Sequence, residues 1–151
     1  MGDKMFNVVL FAPQIPQNTG NIGRLCVCTD TTLHLVKPLG FSLDEKYIKR
    51  SGMDYWKYLD LCVYDTFDEL LNFMGDSIFY FLSTKTDRTY LECPYQKGDF
   101  LIFGNEGSGL PPYIYEKYPD KLFKIPMPGE HARSLNLANS VAIVLYQALQ
   151  T

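Results

Sequence analysis

The sequence has few of the residues that metal centres and acid–base enzymes need. Among its 151 residues are only two histidines, His34 and His131, and four cysteines. Cys26 and Cys28 form a C-x-C pair, but no second pair of cysteines or histidines completes a zinc set. We therefore predict no metal site, and we expect the cysteines to be buried, reduced thiols.

Long apolar runs are also missing. No stretch approaches the roughly 18 consecutive apolar residues of a membrane span. The opening residues 1–11 are too short and too poorly flanked to resemble a signal peptide. We expect a cytoplasmic protein with no membrane partner.

The chain has no excess of positive charge. Its 14 Lys and Arg residues against 17 Asp and Glu residues leave a net charge of −3, which argues against a protein that grips nucleic acid over its whole surface. A local basic patch remains compatible with this balance. Lys46, Lys49, Arg50 and Lys57 lie close together in the sequence, and they either contact RNA or form a solvated helix face.

Several catalytic and nucleotide-binding signatures are absent. The chain contains no G-x-S-x-G motif, no G-x-G-x-x-G fingerprint and no P-loop. What it has instead is a glycine cluster, Gly104, Gly107 and Gly109, and a single loop histidine, His131, in its last third. A glycine cluster is typical of a tight turn, and it also frees backbone groups to bind a ligand.

Short apolar runs alternate with helical patterns along the chain. Because most runs are unbroken, as in strands buried on both faces, they predict one α/β domain over residues 1–151, with a mainly parallel sheet and helices on both faces. The predicted helix at 21–28 would be capped by Asn18 or Thr19. The predicted strands are 6–11, 33–36, 61–64, 78–82, 100–103 and 122–126, and the other predicted helices are 44–50, 66–74 and 137–149.

Three strand exits carry unusual loops, at residues 82–84, 104–109 and 125–136. Ligands of open parallel sheets bind beyond the carboxyl ends of the strands. The sequence therefore predicts a site at this edge of the sheet, built from backbone groups and a few polar side chains.

Three motifs occur in this order along the chain: NTGNIGR at 18–24, FGNEGSGLP at 103–111, and IPM at 125–127 with RSLNLANS at 133–140. In order and spacing they resemble the motifs of the SPOUT class of RNA methyltransferases. The short chain is similar to the minimal family that methylates the 2′-oxygen of the wobble nucleotide in tRNA. The segments PQIPQNTGN at 13–21 and RSGMDY at 50–55 strengthen this narrower match.

The resemblance implies a fold and a cofactor. The C-terminal third would be threaded into a deep trefoil knot whose loops hold S-adenosylmethionine. This contrasts with the general rule that chains avoid knots. By position, the family's cofactor contacts match Leu82, Gly104, Ile125 and Ser134, with Glu106, Gly109 and Leu135 beside them.

The resemblance also implies catalytic residues. The family's arginine that is proposed to activate the 2′-hydroxyl matches Arg24. A guanidinium is a poor base, so we favour a role in binding the adjacent phosphate and stabilising the developing alkoxide. Asn18, Ser134 and Asn136 are candidates for positioning the substrate or closing the cofactor loop, and Arg133 meets either RNA phosphate or a neighbouring acid.

The partners implied are tRNA, bound through its anticodon stem-loop, and a second copy of the chain. The family's homodimer forms through the last helix, where Tyr146 matches an interface position. Two alternatives stay open: a nucleotide-binding α/β protein that uses 104–109 as a phosphate cradle, and a non-catalytic RNA-binding homologue. Neither the accepted tRNAs and wobble base nor the proton acceptor follows from the sequence.

Overall fold

The computed structural model describes residues 4–44 and 54–151. The helix predicted for 44–50 lies outside this part of the chain except for its first residue. Lys46, Lys49 and Arg50 lie outside it as well, so the interpretation of the basic group remains a prediction.

The strands of the described residues form one six-stranded sheet in the order β3-β2-β1-β5-β4-β6. All five strand pairings are parallel, which confirms the predicted sheet. The strands are β1 (Asn7–Phe11), β2 (Thr32–Val36), β3 (Leu61–Tyr64), β4 (Phe79–Leu82), β5 (Phe100–Phe103) and β6 (Leu122–Phe123).

The sixth strand is much shorter than predicted, because the chain after it leaves the sheet. Lys124 donates its N–H to the Arg88 carbonyl at 2.8 Å and accepts the Tyr90 N–H at 2.7 Å. Its backbone is therefore paired with the segment after β4 rather than with β4 itself. Pro126 then has no N–H to give to a ladder.

Four α-helices and three short 3₁₀ turns accompany the strands within the described residues. The first helix begins before the predicted range, and the predicted cap at Asn18 or Thr19 is wrong. Pro16 supplies the φ angle of a first helical turn, so both residues lie buried inside the helix. The helices are α1 (Pro16–Cys28), α2 (Phe67–Met74), α3 (Pro112–Lys117) and α4 (Leu137–Ala148), and the turns are Asp54–Tyr58, Tyr90–Glu92 and Pro119–Lys121.

The helices cover both faces of the sheet. Successive strand side chains point to opposite faces, and the core accordingly divides into two clusters. Val8 and Leu10 pack in the cluster that contains side chains of α1 and α4. Val9 and Phe11 pack in the cluster that contains side chains of α2 and α3.

All four cysteines are free thiols, but not all of them are buried. Burial raises the pKa of Cys26 and of Cys93 to about 12, which makes both thiols unreactive at neutral pH. Cys62 is half-buried, and Cys28 is exposed, so the expected burial is wrong for Cys28. The reason is its position two residues after Cys26, on nearly the opposite side of α1.

No helix within residues 4–44 and 54–151 combines the length and the apolar character that crossing a membrane requires.

Candidate functional site

A pocket of about 260 Å³ lies where β4 and β5 end. Its lining comes from the segments that follow β4, β5 and β6, the same three strand exits that the sequence singles out. Leu82 and Phe103, the last residues of β4 and β5, form part of its wall. The seven residues predicted to bind the cofactor all line it: Leu82, Gly104, Glu106, Gly109, Ile125, Ser134 and Leu135.

The loop after β5 is organised by Asn105. Its backbone N–H and carbonyl both pair with Gly109 at 3.0 Å, and its side-chain oxygen accepts the N–H groups of Gly107 at 2.7 Å and Ser108 at 3.1 Å. The Asn105 amide also donates to the carbonyl of Ala12. The loop is therefore a compact turn attached to the end of β1.

Two glycines of this loop are required by geometry. A Cβ on Gly104 would lie 2.4 Å from the carbonyl carbon of Gly109, which no real contact allows. Gly109 has a φ of +71°, in the left-handed region that favours glycine. Gly104 and Gly109 thus allow the two ends of the loop to pack closely against each other.

Glu106 connects this loop to the start of α1. Its carboxylate accepts the backbone N–H of Gln14 at 2.9 Å and that of Ile15 at 2.8 Å. These are donors at a helix N-terminus, where the helix dipole favours negative charge. Glu106 therefore lines the pocket and also anchors the helix that carries Arg24.

Asn18 and Asn136 extend this connection to α4. The Asn18 amide donates to Glu106 at 3.4 Å, and its oxygen accepts from the Asn136 amide at 3.0 Å. The Asn136 oxygen accepts the Asn139 N–H at 3.1 Å and so caps α4. Three of the predicted site residues are thus joined in one hydrogen-bonded chain.

Arg24 lies on α1, exposed, and is not among the residues that line the pocket. Its guanidinium carbon is 5.8 Å from the centroid of the Tyr55 ring, a cation–π contact. The Tyr55 hydroxyl donates to the carbonyl of Gly20 in the same helix. This contact leaves the guanidinium accessible to a large substrate.

Sequence reasoning missed several side chains that line the pocket, among them Lys85, Tyr115 and Ser140. Tyr115 lies on α3, whose six residues are too few to show helical periodicity. Its hydroxyl accepts from Ser83 at 3.1 Å, and the Lys85 ammonium lies 4.7 Å from its ring centroid. The polar residues after Leu82 were the only signal for this side of the pocket.

Neither histidine lines the pocket. His34 is buried, with Nδ1 2.9 Å from the Tyr64 hydroxyl and Nε2 2.9 Å from the Asn7 side-chain oxygen. Burial lowers its pKa to about 4, so it is neutral at physiological pH. His131 is exposed. Within the described ranges, no three His, Cys, Asp or Glu side chains are grouped as a metal site would require.

Comparison with known proteins places this geometry in a family. A family model described as the SpoU rRNA Methylase family matches residues 5–146. The tRNA (cytidine(34)-2'-O)-methyltransferase of Methylovorus glucosotrophus is 43% identical over 145 residues, covering 95% of this chain and 94% of the relative.

Solved structures agree with this match. A structure described as "Structural insights into the 2-OH methylation of C/U34 on tRNA" has a TM-score of 0.90 and 38% identity, covering 99% of this chain and 97% of the other. The AdoMet-bound rRNA methyltransferase from Sinorhizobium meliloti has a TM-score of 0.85 at 24% identity, covering 99% of this chain and 57% of that one, and shares the fold. The protein therefore belongs to the SpoU methylase family.

Proposed function

We propose that the protein is a tRNA methyltransferase that methylates the ribose 2′-hydroxyl of the wobble nucleotide, a cytidine or modified uridine at position 34. The methyl donor is S-adenosylmethionine. The 43% identical relative and the 38% identical structure support this substrate through what they are described to act on. The observation that carries the proposal is that the segments after β4, β5 and β6 together line one pocket.

The lining of the pocket suits S-adenosylmethionine. The pocket volume of about 260 Å³ lies just below the range of about 300–1,000 Å³ that is usual for small-molecule sites. Leu82, Ile125 and Leu135 supply apolar walls for an adenine, and the 104–109 loop supplies backbone groups. When bound, the donor supplies a methyl group on a positively charged sulfur. We assign its site to Leu82, Gly104, Glu106, Gly109, Ile125, Ser134 and Leu135.

We assign the handling of the 2′-hydroxyl to Arg24. In methyl transfer the 2′-oxygen would lose its proton and bond to the methyl carbon while the bond between that carbon and the sulfonium sulfur breaks, leaving a neutral thioether. Negative charge would therefore develop on the 2′-oxygen. A guanidinium stays charged and offers a planar fork of donors, which suits both the adjacent phosphate and the developing alkoxide. Its exposed position on α1 supports this role.

We assign Asn18 and Asn136 to closing the site rather than to bond making. Their mutual hydrogen bond and their links to Glu106 and to the cap of α4 support this assignment. Ser134 lines the pocket and is assigned to the donor and to the closed loop.

We further propose that residues 1–151 form one domain whose C-terminal part is threaded into a trefoil knot. The strand order supports this, because β5 lies between β1 and β4 while β6 pairs with the far side of β4. The meeting of residues 82–85, 104–110 and 125–140 in one pocket also fits a threaded chain. An experimental chain trace that is unentangled from Phe79 onward would contradict the knot.

We also propose a homodimer formed through α4, in the cytoplasm. Ile143 and Tyr146 are 37% and 47% exposed on this otherwise apolar helix, which supports an interface there. A second subunit would let Arg24 of one chain act at the donor pocket of the other, and it would add phosphate contacts that an acidic chain lacks. The free cysteines fit a reducing compartment.

The test is to incubate the protein with methyl-labelled S-adenosylmethionine and an anticodon stem-loop, followed by mapping of the labelled nucleoside. We expect label at the 2′-oxygen of nucleotide 34. The matched control is the same stem-loop with a 2′-deoxyribose at that position, which must stay unlabelled. Label on a base, or at another nucleotide, would refute the proposal.

A further inference from the structure

Lys85 is the cation of the pocket. Among the described residues that line it, Lys85 is the one with a positively charged side chain, and Glu106 is the one with a negatively charged side chain. The Glu106 carboxylate is engaged by the N–H groups of Gln14 and Ile15. Among the described residues of this chain, an anionic group that enters this pocket therefore meets one compensating charge.

The position of Lys85 is set by Ser83 and Tyr115. The Lys85 backbone N–H donates to the Ser83 hydroxyl at 3.2 Å, and that hydroxyl donates to the Tyr115 hydroxyl at 3.1 Å. The Lys85 ammonium lies 4.7 Å from the centroid of the Tyr115 ring. A ring face attracts an ammonium without neutralising it. The side chain is thus directed by its neighbours while its charge stays unused.

Within residues 4–44 and 54–151, no carboxylate forms an ion pair with Lys85. The ion pairs there are Lys4–Asp30 and Lys37–Asp65. A cation over an aromatic ring, at a pocket rim and without a carboxylate partner, is suited to recognise a ligand carboxylate.

We infer that Lys85 binds the carboxylate at the amino-acid end of the methyl donor and that Tyr115 positions it. This inference rests on the proposed function, because it takes S-adenosylmethionine as the donor. It adds a positively charged side chain to a site otherwise assigned to apolar walls, backbone groups, Glu106 and Ser134. It also predicts that the pocket discriminates between an amino-acid nucleoside and the same nucleoside without that end.

Binding measurements without turnover test the inference. S-adenosylhomocysteine carries the amino-acid end, whereas 5′-methylthioadenosine has the same adenosine and sulfur without it. We expect Lys85→Met to raise the Kd of S-adenosylhomocysteine about three- to fivefold, the size of an exposed ion pair. The Kd of 5′-methylthioadenosine should not change, and Lys85→Arg should restore the first affinity.

Lys97→Met is the matched control, since Lys97 is an exposed lysine outside the pocket. It should bind both nucleosides as the wild type does. An unchanged affinity of Lys85→Met for S-adenosylhomocysteine, or an equal loss of affinity for both nucleosides, would overturn the role of Lys85 but leave the proposed donor standing. A wild-type protein that binds neither nucleoside would overturn the proposed donor together with this inference.

Discussion

Arg24 combines an accessible charge with an anchored backbone. Its guanidinium contacts the Tyr55 ring, and the start of its helix is tied to the pocket loop through Glu106. The sequence motif predicted the importance of Arg24, but these two contacts come from segments far from it in the chain.

Arg24→Lys should abolish most turnover while leaving donor binding intact. A lysine keeps the charge but cannot reproduce the planar fork on phosphate and alkoxide. Because one lost transition-state donor costs about 10²- to 10³-fold, we expect kcat to fall by about 100-fold or more. The measurement is single-turnover methylation of the stem-loop, with the Kd of S-adenosylhomocysteine as the internal control. Near-normal turnover would contradict the phosphate and alkoxide role.

His34 should make the fold less stable in mild acid. Its pKa is about 4 in the folded protein because of burial, against about 6.5 in an unfolded chain. The unfolded state therefore binds the proton more readily than the folded state. The stability that depends on neutral His34 is complete above pH 6.5 and is lost as the pH falls toward 4. Integrated over that window, the loss is at most about 3 kcal/mol.

Urea unfolding of the wild type and of His34→Gln at about pH 7.5 and about pH 5 measures this effect. The variant should lose less stability on acidification than the wild type does. His131→Gln is the matched control, because His131 is exposed, and it should follow the wild type. Equal acid sensitivity of His34→Gln and the wild type would show that His34 is not the responsible group.

At the level of elements, the loop after β5 is the connection on which the pocket depends. Asn105 binds the carbonyl of the residue after β1, and Glu106 binds the start of α1. Glu106 is also linked to α4 through Asn18 and Asn136. The shape of the loop depends on backbone approach rather than on side-chain bulk. Gly104, where the two ends of the loop approach each other, is therefore more important for the shape of the loop than Gly107, whose surroundings are open.

Gly104→Ala should damage the pocket, whereas Gly107→Ala should be tolerated. The added Cβ at position 104 would meet backbone atoms of Gly109 and Leu110 at 2.4 and 2.5 Å, while at position 107 its nearest neighbour is 3.5 Å away. Overpacking of this kind costs about 1–3 kcal/mol. Urea unfolding and the Kd of S-adenosylhomocysteine check both variants. Equal stability and equal affinity of the two variants would contradict the close approach of Gly104 to Gly109.

At the scale of the whole molecule, α4 supplies the interface of the proposed homodimer. One side of the helix is buried with Val141, Val144 and Leu145, while Ile143 and Tyr146 remain partly exposed. An exposed apolar pair on a helix this apolar favours a second copy as its partner.

Tyr146→Glu should convert the dimer into a monomer, because a buried unpaired carboxylate in an apolar interface is costly. Light scattering should give about twice the 17.3 kDa chain mass for the wild type and about one chain mass for the variant. Methylation of the stem-loop by the variant should fall because the dimer is lost. Leu91→Glu, at an exposed leucine on a 3₁₀ turn outside α4, is the control and should remain dimeric. A monomeric wild type would refute the assembly.

The sequence by itself determined the parallel sheet and seven of the residues that line the pocket. Apolar runs such as Phe100–Phe103 indicate strands buried on both faces, and the carboxyl ends of parallel strands must share one edge. The polar loops after those strands therefore had to lie together. Leu82, Ile125 and Leu135 could be named as walls for this reason and through the family motifs.

Only the tertiary structure decided how these parts hold one another. Asn18 and Asn136 bond across 118 positions of sequence, and Glu106 bonds to Gln14 across 92. Local patterns report burial and backbone preference, but not which distant amide meets which carboxylate. The truncation of β6, whose following residue Lys124 pairs with Arg88 and Tyr90, and the contact of Lys85 with Tyr115 likewise arise from contacts between distant segments, which no local window contains.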